Sequence, residues 1–96
     1  MSLPVVVIVT AKPGAQDELH EALVALAAAS REEEGCIDYR VHRSTTDPAV
    51  FVTLEDWVGE ADLQAHMQRE HTTQASVVIR RTIEGRPVMQ TLTRIG

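Results

Sequence analysis

Five consecutive β-branched residues, Val5 to Val9, open the chain's hydrophobic pattern. A run with no polar alternation predicts a strand that is apolar on both faces. Lys12-Pro13-Gly14 ends it. From Ala15 the period changes. Leu19, Leu23 and Leu26, with Ala22, Ala27 and Ser30, follow helical spacing in a stretch rich in Ala and Leu. Asp17 and Glu18 suit its first turn, and Gly35 suits its stop. Glu32 to Glu34 oppose the helix dipole there, so this end is expected to fray or to find basic partners such as Arg31.

Alternation returns at residues 36–44. Ile37, Tyr39 and Val41 fall on one face, and Asp38, Arg40 and His42 on the other. A turn at 45–49 joins this strand to "VFVTLEDW", residues 50–57, as an antiparallel hairpin. In the second strand Phe51, Thr53, Glu55 and Trp57 share a face; Val50, Val52 and Leu54 take the other. Residues 59–68 read as a short helix and 71–85 as a second, interrupted one, weakened by Val77, Val78 and Ile79. Pro87 begins a last strand within 86–95.

The order β-α-β-β-α-β is the ferredoxin-like pattern: an α+β fold with a four-stranded antiparallel sheet and its helices on one face. Residues 1–96 read as a single domain, without repeats or linkers. So small a chain buries roughly 60 to 70% of its unfolded surface. The first strand's outer valines would forfeit several kcal/mol in water at about 25 cal/mol per Å2. A homodimer packed sheet against sheet is therefore expected.

Composition narrows the function classes. The net charge, 9 − 14 = −5, disfavours nucleic acid and anionic membrane surfaces as partners. Arg80-Arg81 reads as a solvated helix face. No basic signal-peptide start or membrane-length apolar run is evident, and the one cysteine, Cys36, suits a reducing cytoplasm, the expected location.

Candidate chemistry centres on Glu55 to His71. On a continuous helix, His66 and His71 would diverge by about 140°, so no metal is expected there. Carboxylates beside Cys36 argue against a reactive thiolate, and no nucleophile elbow, phosphate loop or dinucleotide fingerprint appears. Glu55, if buried among aromatics, needs a partner, and His66 is available; otherwise Glu55 is a rim carboxylate and Trp57 packs the helix. The Tyr39 hydroxyl is open to the same two readings.

The ordered set Lys12-Pro13-Gly14, Glu34-Gly35-Cys36, Tyr39, Phe51, Glu55-x-Trp57, His66 and His71 resembles the antibiotic biosynthesis monooxygenase family, including its quinol monooxygenases. The resemblance implies a dimeric α+β barrel whose pocket lies between sheet and helices. It implies oxidation of a small phenolic or quinol substrate by O2, with no cofactor. A phenol deprotonates, its anion passes an electron to oxygen, and the radical pair recombines. His66, Trp57 and Tyr39 are then the catalytic candidates, with His66 as general base, and Phe51, Glu55, Met67 and His71 the substrate-binding ones. The haem-degrading branch uses an Asn with Trp and His; this chain has no Asn, and Val7 stands at that strand position. Two other classes stay open. One is a non-oxidative isomerase or lyase acting on a small carbonyl or phosphorylated metabolite, with Arg40, Arg43 or Arg69 lining the pocket. The other is a non-catalytic ligand-binding dimer, its groove filled by Trp57, Met67 and His66.

Overall fold

A computed structural model describes residues 2–96. The elements run β1 (Leu3–Thr10), α1 (Gln16–Arg31), β2 (Cys36–Arg43), β3 (Val50–Trp57), α2 (Glu60–Gln68), α3 (Glu70–Thr82) and β4 (Val88–Thr91). The sheet order is β2-β3-β1-β4, with every neighbouring pair antiparallel. This is the expected ferredoxin-like α+β fold.

Register fixes the two faces of the sheet. Val5, Val7 and Val9 stand opposite Glu55, Thr53 and Phe51 on the face the helices cover. One core cluster gathers Val5, Leu26, Tyr39, Trp57 and Leu63; a second gathers Val9, Leu19, Leu23, Phe51 and Ile83. The other face pairs Val6 with Leu54, and Ile8 with Val52 on one side and Val88 on the other. Ile8 is 38% exposed and Val88 53%. Both faces are thus apolar, and only one is covered by this chain's helices.

Three details differ from the sequence pattern. Ile37 does not share the buried face with Tyr39. The pairing passes from Cys36–Trp57 to Asp38–Asp56, so Ile37 is the extra residue of a bulge and is 55% exposed. The last strand keeps only four residues of the ten expected, all exposed. The end of α1 does not fray: Glu33 N–H donates to Ser30 O, and Cys36 N–H to Glu33 O. Arg31 turns to the Tyr39 carbonyl and leaves Glu33 to other partners.

Gly35, just before β2, lies against Asp62 of α2. A Cβ there would fall on the Asp62 side chain, including its Cβ. The chain needs a residue without a side chain at that crossing.

Candidate functional site

The β3 face that points at the helices carries Thr53, Glu55 and Trp57, all buried. A carboxylate in that position must find donors. Thr53 Oγ1 donates to Glu55 Oε2 at 2.7 Å, and Trp57 Nε1 donates to Glu55 Oε1 at 3.0 Å. Tyr39, directly across the ladder from Glu55, is buried as well. Burial pushes its pKa well above the phenol range. The charge of the Glu55 carboxylate adds to this. Tyr39 therefore keeps its proton and acts as a donor, not as a base. Glu55 is no rim carboxylate.

His66 reaches this face from the last turn of α2. Its ring centroid lies 4.6 Å from that of Trp57 and 5.7 Å from that of Tyr39. The expected partner was Glu55, but His66 Nδ1 lies 2.7 Å from Glu33 Oε2. His71 Nε2 meets the same oxygen at 2.7 Å, and Arg69 Nε stands 3.5 Å from Oε1. Burial raises the Glu33 pKa, but hydrogen bonds and charge from the two histidines outweigh it and leave the carboxyl below its ordinary value. Because an ionised carboxylate only accepts, both histidine nitrogens must carry protons. In neutral His66 the basic lone pair then belongs to Nε2.

His66 and His71 would diverge only on one continuous helix. The chain breaks at Arg69, whose backbone is extended (φ −67, ψ 146) and serves as both the end of α2 and the cap of α3. That break turns His71 back toward Glu33. The geometric ground for expecting no metal there is removed.

Between sheet and helices lies a cavity of about 430 Å3, the size of a small-molecule site. Its apolar wall comes from Val7 and Val9 of β1, Leu23 and Leu26 of α1, and Ile79 of α3, with Met67 of α2 and Met89 of β4. Tyr39, Thr53, Glu55 and His66 supply polar groups, and Arg80 a positive charge. Of the expected site residues, four line this cavity: Tyr39, Glu55, Met67 and His66. Trp57 and Phe51 do not; both are core side chains, with Trp57 behind Glu55 and His66. His71 lines a separate groove of about 250 Å3 against α1. The groove expected to be filled by Trp57, Met67 and His66 is open.

The arginines divide differently from expectation. Arg40 pairs with Asp38, Arg43 lies 4.8 Å over the Phe51 ring, and Arg69 turns to Glu33. Arg80, read as part of a solvated pair, is the one that lines the cavity, while Arg81 forks onto Glu18 of α1. Glu33 and Arg80 were both missed as site residues. The signal for Glu33 was the acid run against a helix C-terminus, which has to be compensated. Cys36 is pushed up to about 11, first by burial and then by Glu33, Glu55 and Asp38, in agreement with an inert thiol.

A family model described as antibiotic biosynthesis monooxygenase matches residues 3–77. PA3566 from Pseudomonas aeruginosa is 30% identical, with a TM-score of 0.92, over 99% of this chain and 95% of its own. A crystal structure named antibiotic biosynthesis monooxygenase is 26% identical with a TM-score of 0.93, over 98% and 99% of the two chains. A conserved protein of unknown function from Bacteroides thetaiotaomicron is 28% identical with a TM-score of 0.89, over 95% of each. No curated protein matches significantly.

Proposed function

The chain belongs to the antibiotic biosynthesis monooxygenase family, and on that premise we propose that its cavity binds a small phenol or hydroquinone and oxidises it with molecular oxygen, without a resident cofactor. The observation that carries this reading is the cavity with His66, Tyr39, Glu55 and Arg80 on a mostly apolar wall. A flat ring fits between the valines of β1 and the leucines of α1, and the two methionines adapt to its outline. His66 Nε2 takes the phenol proton, and Glu33 fixes the tautomer that leaves this nitrogen basic. The electron-rich phenolate passes one electron to O2. The resulting radicals combine at a ring carbon, forming a C–O bond to a peroxide. Loss of the ring proton at that carbon then breaks the O–O bond. One oxygen stays as a quinone carbonyl and the other leaves as water, so phenol plus O2 gives quinone plus water. Arg80 supports the negative oxygen while it exists. Trp57 acts from behind, through its hydrogen bond to Glu55 and its packing on His66.

An oxygen electrode with a panel of hydroquinones and naphthoquinols tests this. Uptake with formation of the oxygenated quinone is expected. His66→Ala should lower it by roughly 100-fold or more with the fold intact. No uptake across the panel would sink the reading.

One observation favours a second reading. Arg80 in the cavity suits an anionic substrate group, as an isomerase acting on a phosphorylated metabolite requires. Phosphate esters that stabilise the protein against heat, and fail to do so in Arg80→Ala, would support it. The proposal also includes a homodimer: a second copy covers the open sheet face around Val6, Ile8 and Leu54.

A further inference from the structure

The cluster at the α2–α3 break has a donor set that the proposed oxidation does not exhaust. Glu33 follows α1, His66 ends α2 and His71 begins α3, so three separate elements converge on one point. Glu33 Oε2 is 2.7 Å from each histidine nitrogen, and the three donor atoms lie within 4.8 Å of one another. Two ligands in tetrahedral positions about 2.1 Å from one ion stand roughly 3.4 Å apart. Each Glu33–histidine pair needs to open by about 0.7 Å to reach that spacing, with the two histidine nitrogens settling to the same separation. Two imidazoles and one carboxylate on a common face are a donor set of divalent first-row ions.

We propose that Glu33, His66 and His71 bind one divalent first-row transition-metal ion, with water in the remaining positions. The ion takes the place of the two protons that the histidines now give to Glu33. Room and access are present. The His71 side chain is 29% exposed and opens on the groove beside Ala22, Ala25 and Val78. The Arg69 guanidinium, the competing cation at Glu33, is half exposed and free to turn into solvent. Ordinarily a buried carboxylate with an arginine partner has little use for a second cation. Here the arginine touches only Oε1, and the histidines share Oε2.

The site carries a consequence that rests on the oxidation reading. A metal on His66 Nδ1 leaves the imidazole proton on Nε2. The nitrogen facing the substrate then donates where the base must accept. Metal loading therefore switches the proposed base off.

Zinc(II) titrated calorimetrically into the whole protein is the first test, with cobalt(II) absorption as a spectroscopic check. One ion per chain is expected. Affinity should fall at least tenfold in both His71→Gln and Glu33→Gln, and His71→Cys, which keeps a ligand, should recover binding. His20→Gln, at the far side of the core against Phe51, should bind as the parent does. Circular dichroism confirms that each variant is folded. No binding at millimolar zinc, or equal affinity in the parent and His71→Gln, would overturn the site. Oxygen uptake is read separately and should fall in step with zinc occupancy; undiminished uptake at full occupancy would overturn the switch. Zinc binding in a protein that oxidises no quinol would leave the metal site standing and remove the oxidation reading.

Discussion

At the scale of single residues, burial decides which groups stay reactive. Cys36 has its pKa raised from 9.0 to about 11, so its thiolate at pH 8 is roughly 100-fold scarcer than that of a free thiol. Its reaction with a disulfide reagent at pH 8 should be slower by at least that factor in the native protein than in urea. The native rate should rise about tenfold per pH unit until the thiol ionises near the raised value. Equal native and unfolded rates would contradict the burial argument. Trp57 makes a second case. Trp57→Phe removes the indole donor and leaves Glu55 Oε1 without it. A loss of about 1–3 kcal/mol in urea unfolding is expected. An unchanged midpoint would show that the bond adds nothing. Glu55 and Trp57 were legible as neighbours in the sequence, because strand alternation alone puts them on the same face as Phe51; that this face is the inner one is a matter of packing. Glu33 was not, because its partner His66 lies 33 residues away and nothing local names it.

At the scale of elements, one crossing sets the position of α2 and therefore of His66. Gly35 lets Asp62 lie against the start of β2. In Gly35→Ala the new Cβ displaces that end of the helix, and the obstacle includes the Asp62 Cβ, which no rotamer change moves away. About 1–3 kcal/mol of stability should be lost, visible as a lower melting temperature. A wild-type melting curve would mean that α2 is held elsewhere. The α1, β2 and β3 elements follow directly from period-3.6 and period-2 patterns, and β1 from an unbroken β-branched run. α3 forms despite Val77 and Val78, because Ile79 and Ala75 pack on the core and tertiary contact outweighs propensity. The bulge at Ile37 escaped notice because Ile37 is as apolar as a core residue and only the pairing with β3 shows it is unmatched.

At the scale of the whole molecule, the sheet has two apolar faces and one helical layer. If a second copy supplies the missing cover, sedimentation should give a dimer at micromolar concentration, and Leu54→Glu should give a folded monomer. A parent protein that sediments as a monomer would exclude that assembly. The cavity is also a property of this scale. Its lining comes from all seven elements and from Pro87 in the connection before β4, with α3 contributing the largest share.

The layers and their order follow from the sequence, since they depend on which positions are apolar and at what period. So do the strand face shared by Phe51, Thr53, Glu55 and Trp57 and the place of His66 on the helix after them. Tertiary packing is what makes Glu33, and not Glu55, hold His66, puts Arg80 and not Arg69 on the cavity lining, and sets Trp57 behind the site. The physical reason is one of range. Periodicity reports the direction of a side chain relative to its own element, whereas a hydrogen bond, an ion pair or a cavity depends on where two elements meet. The extended backbone of Arg69 shows this most directly. One residue leaving the helical region brings His71 to the oxygen that an unbroken helix would have turned it away from.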